Sequence, residues 1–300
     1  MSIQIFQQQF INMGREWIEQ TLKGAVHAPT ADWMQWTLED QPMGWVQSER
    51  AQQIAQFLPH CTFNSKGLNW SPGTINKEQR NLMFAQAGLQ WKSQGWVHGW
   101  RDEFFDLLDQ NNTCILSAER SLFQFAGMPS QAVHINGYHV NGKMWCARRS
   151  PNKATHPHMW DNLSAGGLPT GEDIFDAAAR ELGEEAGIEV GLAQNIFLCG
   201  SVLTSRAEAN GWHQELLWIF DLLIPANIKP HNTDGEVCEF ACLNANDLYK
   251  QLQSGEFTPD AMVAIAKSHE KQLHKKINEF IDLNQDTNVH ERQNQSYFYF

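Results

Sequence analysis

Apolar and polar residues alternate along several segments of the second half of the chain, which is the pattern of half-buried β-strands. Two such segments, 132–138 and 143–149, flank Val140-Asn141-Gly142, a sequence that favours a turn between antiparallel strands. Three more segments with this character are 196–203, 215–223 and 237–243. Strands on both sides of a helical segment predict a domain in which helices cover a sheet.

That helical segment is 171–186, where Ile174, Ala178 and Leu182 recur at every fourth position and define one apolar face. Thr170 is the expected N-cap, with Asp173 three residues later, and Gly187 is expected to end the helix in a left-handed conformation. A second long helix is predicted from Thr258-Pro259-Asp260 to about Leu283.

The first half of the chain mixes helix and hairpin patterns. Helices are predicted over the first 25 residues, 49–58 and 76–91, and hairpins over 33–47 and 103–118. A boundary is expected at Gly127-Met128-Pro129. The predicted organisation is therefore an N-terminal α+β domain, 1–129, a second domain, 130–284, and a polar tail, 285–300.

Composition limits the function classes. The chain has 300 residues, of which 42% are hydrophobic and 19% charged, enough apolar side chains for a sizeable core. The net charge of −12 disfavours nucleic acid or an anionic membrane as the main partner, but a small anionic substrate is compatible with it. No apolar run is long enough to span a membrane, and we expect no signal peptide.

Cysteine and tryptophan usage adds two expectations. The six cysteines lack the spacing of a disulfide framework, so we expect free thiols and a cytoplasmic location. The twelve tryptophans include two clusters, Trp33, Trp36 and Trp45 in one, Trp91, Trp96 and Trp100 in the other. They either fill a core or provide a stacking surface for a heteroaromatic substrate.

The helix at 171–186 carries the strongest chemical signal. Glu181, Glu184 and Glu185 stand at i, i+3 and i+4, so that they share a helix face. Like charges at this spacing repel, and either solvent or a cation relieves the repulsion. A cluster of carboxylate oxygens suits Mg²⁺, which keeps several waters and reaches substrate phosphates. A solvated acidic face is the alternative for such a triplet alone.

The surrounding residues favour the metal site. From Gly166 to Ile188 the chain resembles the Nudix box, G-x5-E-x7-R-E-U-x-E-E-x-G-U with U aliphatic, and every fixed position is filled. The resemblance implies a metal-dependent hydrolase that cuts a diphosphate linkage. It also implies the fold class: α/β (α+β), an α/β/α sandwich with a mixed sheet, here preceded by a smaller α+β domain.

The resemblance assigns roles within the box. Glu181 and Glu185 are the first metal ligands, Glu184 is a further or bridging ligand, and the main-chain oxygen of Gly166 completes the shell around Mg²⁺, with Mn²⁺ as the alternative ion. Arg180 orients these carboxylates and Glu172 pairs with Arg180, while Glu172 and Gly187 are structural. The catalytic set is completed by Glu236, as ligand or general base from a later loop; Glu215 is the reserve.

Other polar residues are candidates for substrate binding. Arg148, Arg149 and Lys153 follow one another just before the box and are positioned to bind phosphate. Each of them is equally compatible with an ordinary surface cation. His134 and Asn136 are candidates for lining the pocket of the organic moiety, although a structural histidine is the alternative.

Further motifs resemble one Nudix subgroup, related to the Nudix half of fungal thiamine pyrophosphokinase fusions: Gly99-Trp-Arg-Asp-Glu, Glu119-Arg120, Val133-His-Ile-Asn-Gly-Tyr, Trp145-Cys-Ala-Arg-Arg-Ser, Trp160-Asp-Asn and Asp234-Gly-Glu-Val. This resemblance implies action on thiamine diphosphate derivatives, notably oxidised forms. A nucleotide sugar, a dinucleotide and coenzyme A are the rival substrates. An isopentenyl diphosphate isomerase using Cys146 and a non-catalytic binding module are rival classes. A small-molecule diphosphate is thus the expected partner, and the choice between monomer and homodimer stays open.

Overall fold

The computed structural model describes residues 3–64, 67–189 and 196–270. Its N-terminal part contains four helices and six strands within those ranges. They are α1 (Ile3–Lys23), β1 (Trp33–Leu38), β2 (Gln41–Gln47), α2 (Ser48–Phe57), β3 (Cys61–Asn64), β4 (Gly67–Trp70), α3 (Lys77–Ser93), β5 (Phe104–Leu108), β6 (Cys114–Glu119) and α4 (Arg120–Phe125).

The helices and hairpins predicted for this part are all present. Strands β3 and β4 and helix α4 were not predicted, because each is only four to six residues long. Strand order in the first sheet is β2-β1-β4-β3, and β5 and β6 form a separate hairpin. Asn76 caps α3 with a reciprocal side-chain and backbone arrangement that includes Gln79, which fixes where that helix begins.

The C-terminal part continues in the same chain order. Its elements are β7 (Ser130–His139), β8 (Lys143–Arg149), β9 (Trp160–Asp161), β10 (Ser164–Gly167), α5 (Ile174–Ala186), β11 (Ile196–Glu208), β12 (Gly211–Ile224), β13 (Val237–Leu243), α6 (Ala245–Gln253) and α7 (Pro259–Ser268). The five predicted strands are present, and β11 and β12 extend beyond the predicted limits. Helix α7 ends at Ser268, and the rest of the prediction to Leu283 lies beyond the described residues, as does the polar tail.

A mixed sheet forms the centre of this part. Among the described residues its order is β11-β12-β7-β8-β13, with β10 added to β7 and β9 to β8. Strands β12 and β7 run parallel, and the other pairs are antiparallel. Both faces of the sheet are apolar, which is expected where helices cover both sides.

Alternation along β12 assigns the two faces. Trp218 and Phe220 pack with α5, whereas Leu217 and Ile219 pack with α7. Ala178 and Leu182 of α5 are buried against the first face, as the four-residue repeat predicted. The α/β/α sandwich with a mixed sheet is therefore confirmed.

The buried apolar residues group by region. One cluster runs from Trp36 to Met128 and holds the N-terminal sheet and its helices together. Helix α1 packs elsewhere: Phe6, Phe10 and Ile18 lie with α6 and α7. Residues 1–269 form one compact unit, so the domain division at residue 129 stays a prediction. None of the described helices combines the length and apolarity that a membrane crossing requires.

Candidate active site

A cavity of about 660 Å³ lies where the two parts of the chain meet. The mixed sheet and α5 line it with Gly166, Glu181 and Glu184, and a later loop adds Glu236. The N-terminal part contributes a further side of the lining, including Arg101, Phe105, Arg120 and Phe123. The cavity therefore combines residues that are far apart in sequence.

Arg180 connects the carboxylates of the box. Its guanidinium donates two hydrogen bonds to Glu172, at 3.0 and 2.9 Å, one to Glu181 at 2.6 Å and one to Glu184 at 3.2 Å. The contact between Arg180 and Glu172 that the sequence suggested is present. The planar fork of arginine makes such multiple contacts directional, so Arg180 fixes the orientation of the glutamates around it.

Glu181 packs directly against the Gly166 backbone. A Cβ atom at position 166 would overlap the Glu181 carboxylate, so any larger residue there displaces it. Glu181 is only 8% exposed, and burial raises the pKa of its carboxyl although Arg180 acts in the opposite direction. The glycine of the box thus makes room for a buried carboxylate against the backbone.

Glu185 lies one turn further along α5 and is 7% exposed. It accepts a hydrogen bond of 2.9 Å from the Ala165 N–H, and the Lys153 ammonium is 4.0 Å from its other oxygen. Burial raises the pKa of Glu185 to about 8, even though the Ala165 N–H favours the ionised form. This carboxylate is therefore poorly compensated by the protein itself.

These residues fit a divalent cation. Two buried carboxylates with raised pKa values face the same short backbone segment, 164–167, and hard oxygen ligands of this kind suit Mg²⁺. Glu181 and Glu185 would hold the ion, with the Gly166 carbonyl and the more exposed Glu184 beside them.

Glu236 joins this group from the loop before β13. Its carboxylate contacts the Lys153 ammonium and lies 3.6 Å from the Arg101 guanidinium. Although burial acts the other way, Lys153, Arg101 and Arg120 lower the pKa of Glu236, so it stays ionised. The structure thus brings Glu236 next to the box glutamates; its role as ligand or general base stays a prediction.

Comparison with known proteins agrees with this geometry. Residues 130–263 match the model of the NUDIX domain. This part of the chain is a NUDIX domain. The chain is 26% identical over 236 residues to Nudix hydrolase 24, chloroplastic, of Arabidopsis thaliana, covering 77% of this chain and 65% of that protein. It is 30% identical over 234 residues to an uncharacterized protein of Saccharomyces cerevisiae, covering 72% and 66%.

Among solved structures, the protein DR0079 of Deinococcus radiodurans is similar to 56% of this chain over its whole length, with 17% identity and a TM-score of 0.46. The match to the Arabidopsis relative covers slightly less than two thirds of that protein's length.

Two predicted features of the Nudix helix have different outcomes. Gly187 occupies the C-cap with φ 61°, in the left-handed region, as predicted. The prediction that Thr170 caps the helix is wrong: α5 begins at Ile174, and the Asp173 side chain accepts from the Phe175 N–H. Thr170 donates instead to Asp106 of β5, at 2.8 Å, because the N-terminal hairpin packs against the loop that precedes the helix.

The predicted substrate-binding residues separate into two groups. His134, Arg149 and Lys153 line the Nudix cavity. Arg148 does not: it is 42% exposed and pairs with Glu239 on the outside of β13. Asn136 is fully buried and hydrogen-bonded to Asp221 and Asn162, so it has a structural position beneath the cavity lining.

The tryptophans mostly fill the core. Trp91 is fully buried and donates to the Gln53 carbonyl, and Trp96 and Trp100 pack around the same N-terminal cluster. Among the described residues, the tryptophan that lines the cavity is Trp212 of β12, whose ring contacts those of Trp33 and Trp45. Sequence reasoning missed Trp212 because nothing local distinguishes it from other strand tryptophans.

Cys146, the candidate for an isomerase, is fully buried in β8. Burial raises the pKa of its thiol, and the surrounding apolar side chains separate it from the cavity. The structure therefore gives no support to an isomerase that uses this thiol.

A second charged cluster lines the Nudix cavity away from the box. Arg206 donates to both oxygens of Asp260, at 2.7 and 2.8 Å, and to Glu208 at 2.9 Å, while His213 lies 3.4 Å from Asp260. Glu215 is close to His213 and accepts from Ser130 at 2.7 Å. Because Arg206 donates to both oxygens of Asp260, we interpret this cluster as an ion-pair network rather than a metal site.

Proposed function

We propose that the protein is a divalent-cation-dependent hydrolase of a diphosphate linkage in a small organic molecule. The observation that supports this most directly is the pair of buried carboxylates with raised pKa values, Glu181 and Glu185, beside the backbone segment 164–167. Nudix hydrolases generally use a divalent ion such as Mg²⁺. When bound, such an ion neutralises phosphate oxygens and lowers the pKa of water.

The protein's own residues complete the chemistry. Arg180 holds Glu181 and Glu184 in place, and Lys153 lies between Glu185 and Glu236. Ionised Glu236 is positioned to accept a proton from an attacking water. Phosphoryl transfer needs mainly positioning and charge stabilisation, which this arrangement of fixed carboxylates and cations supplies.

The cavity favours a substrate with a sizeable organic part. A volume of about 660 Å³ exceeds what a diphosphate alone needs, and Trp212, Phe123 and Met128 provide apolar surface in it. Among such substrates we propose a thiamine diphosphate derivative, notably an oxidised form, hydrolysed to the monophosphate and phosphate. The support for this choice is the resemblance of motifs such as Gly99-Trp-Arg-Asp-Glu to the thiamine-linked subgroup. We further propose a role in metabolite repair in the cytoplasm.

A panel of diphosphate compounds tests both levels of the proposal. Oxidised and intact thiamine diphosphate, a nucleotide sugar, a dinucleotide and coenzyme A are incubated with the protein and Mg²⁺, and phosphate release and product mass are measured. If none of these compounds is cleaved, the proposed hydrolase activity is contradicted. A far higher kcat/KM for a nucleotide sugar or dinucleotide than for oxidised thiamine diphosphate contradicts only the choice of substrate.

A further inference from the structure

The cavity is lined by six arginine and lysine side chains, and they differ in how they are paired. Five of them have a carboxylate partner within 3.0 Å: Arg120, Arg149, Lys153, Arg180 and Arg206. Arg101 has only the 3.6 Å approach to Glu236 among the described residues, beyond hydrogen-bonding distance. Its side chain is 56% exposed, more than that of any of the other five.

The backbone around Arg101 is fixed although its guanidinium is not. The Arg101 N–H donates to the Glu119 carboxylate at 2.8 Å, and Glu119 is only 2% exposed. The same carboxylate accepts from the Ser121 N–H at 2.7 Å, where it caps α4. A buried carboxylate held by several donors is a rigid anchor, so the loop presents Arg101 in a defined place.

The residues beside Arg101 are also held. The Trp100 indole donates to Asp102 at 2.8 Å, and the Lys92 ammonium lies 4.4 Å from the Trp100 ring. Gly99 and Asp102 both have positive φ values, 75° and 58°, so the chain turns sharply on each side of Arg101. These contacts explain the Gly99-Trp-Arg-Asp-Glu motif as a support for one exposed guanidinium.

The negative charge of the site disfavours an anionic substrate unless a cation without a close carboxylate partner is available to bind it. Four carboxylates, Glu181, Glu184, Glu185 and Glu236, lie within or beside the metal-binding face, and the nearby cations Arg180 and Lys153 already pair with them. An incoming diphosphate brings further negative charge. A guanidinium with unengaged N–H groups binds phosphate oxygens in a bidentate way, which the paired cations cannot do without releasing a carboxylate.

We propose that Arg101, from the N-terminal part of the chain, binds the diphosphate of the substrate opposite the Nudix box. This inference rests on the proposed function for the nature of the substrate. It makes the N-terminal part a component of the binding site, through a cation rather than through a tryptophan wall. On binding, the Arg101 guanidinium exchanges its distant approach to Glu236 for direct hydrogen bonds to phosphate oxygens.

The test measures binding without hydrolysis. Methylenediphosphonate, a non-hydrolysable diphosphate, is titrated into the full-length protein with Mg²⁺ in a calorimeter. Arg101→Gln is expected to raise its Kd about tenfold or more, since it removes a charge-assisted contact to the phosphate oxygens. Arg101→Lys is expected to restore part of the affinity. The matched control is Arg148→Gln, which removes an exposed arginine that pairs with Glu239 and does not line the cavity, and it is expected to leave the Kd within twofold.

Each outcome decides something. An unchanged Kd in Arg101→Gln, with an unchanged Tm, overturns the inference, as does an equal loss in Arg148→Gln or failure of the unmutated protein to bind the probe. If Arg101→Gln raises the Kd but no compound in the panel is hydrolysed, Arg101 binds diphosphate and the proposed hydrolase activity is rejected. If compounds are hydrolysed but the Kd is unchanged in Arg101→Gln, the hydrolase activity stands and the role of Arg101 is rejected.

Discussion

The cavity contains two groups of acidic residues whose pKa values shift in opposite directions. In the Nudix box, burial raises the pKa values of Glu181 and Glu185. In the second cluster burial acts in the same direction, but histidine and arginine partners outweigh it. His156, His213 and Arg206 lower the pKa of Glu208 to about 2, and His213 and Arg206 lower that of Asp260 well below its ordinary value.

The difference lies in how closely cations approach each group. Arg206 forms a two-pronged contact with Asp260 and also contacts Glu208, and His213 lies 3.4 Å from Asp260, so these carboxylates have close partners within the protein. Arg180 is shared among three carboxylates, and among the described residues the cation nearest to Glu185 is Lys153, at 4.0 Å. Buried charge without a protein partner is costly, and a bound cation is the means of relieving it. Acidic residues in a cavity therefore indicate a metal site when they are unsatisfied, and a structural network when they are satisfied.

The largest expected effect is the loss of activity when a carboxylate of the box is replaced. Glu185→Gln is expected to reduce kcat/KM at least a thousandfold, about 4 kcal/mol, because it removes a ligand of the divalent ion. Its Tm without metal should be equal to or above that of the unmutated protein, since a poorly compensated buried charge is gone. Glu239→Gln, which alters an exposed carboxylate outside the cavity, is the control. Turnover retained in Glu185→Gln would remove the metal assignment.

Substitutions in the second cluster are expected to lower the free energy of unfolding. Asp260→Asn leaves Arg206 with only Glu208 as a partner, and breaking a buried pair of this kind is expected to lower the free energy of unfolding by about 3 kcal/mol. Urea unfolding measures the change. Glu78→Gln, in the first turn of α3, controls for the interaction of an acidic residue with a helix N-terminus and should cost less than about 1 kcal/mol. Equal losses in both variants would contradict the network interpretation.

Adding Mg²⁺ should distinguish the two groups by a smaller effect, on thermal stability. Mg²⁺ at about a hundred times its Kd should stabilise the native state by about 2.7 kcal/mol, so it should raise the Tm by several degrees. The shift should disappear in Glu185→Gln and persist in Glu208→Gln. A Tm shift that survives in Glu185→Gln and disappears in Glu208→Gln would place the ion in the second cluster and contradict the metal site at the box. Thermal unfolding with and without Mg²⁺ is the measurement.

The smallest effect is on pH dependence. The pKa of Glu208 is about 2 in the folded protein against an ordinary value of 4.5, so its contribution to stability is present above pH 4.5 and is lost as the pH falls towards 2. Glu208→Gln should therefore be less stable than the unmutated protein at pH 6, by on the order of 1 kcal/mol after allowance for solvent screening. The two proteins should converge as the pH falls to about 2. A difference independent of pH would show that packing, not charge, explains the loss.

Much of the box could be predicted because it is local. Helical periodicity alone places Glu181 and Glu185 one turn apart, and it places Ala178 and Leu182 on the buried face. Gly187 was predicted at the end of the helix since few other residues accept a positive φ. The start of the helix was predicted wrongly, because a distant residue, Asp106, competes for the Thr170 hydroxyl. That contact has no trace in the local pattern.

The candidate substrate residues show the same limit. Arg148 and Arg149 are adjacent in sequence, yet only Arg149 lines the cavity, since successive side chains of a strand point to opposite faces. His134 and Asn136 share a face of β7, but the strand carries Asn136 past the end of the cavity into a buried hydrogen-bond network. Spacing identified the polar residues; the sheet determined which of them a substrate reaches.

The sequence by itself determined the box helix, the spacing of its glutamates, the glycine that ends it and the succession of strands along the second half of the chain. These depend on backbone periods of a few residues, which any chain with this pattern repeats. Only the tertiary structure placed Arg101 opposite Glu236, Phe105 over Gly167 and Arg206 on Asp260. Such pairs are separated by more than fifty positions, so packing of the whole core, not any local preference, determines which side chains meet and which stay unpaired.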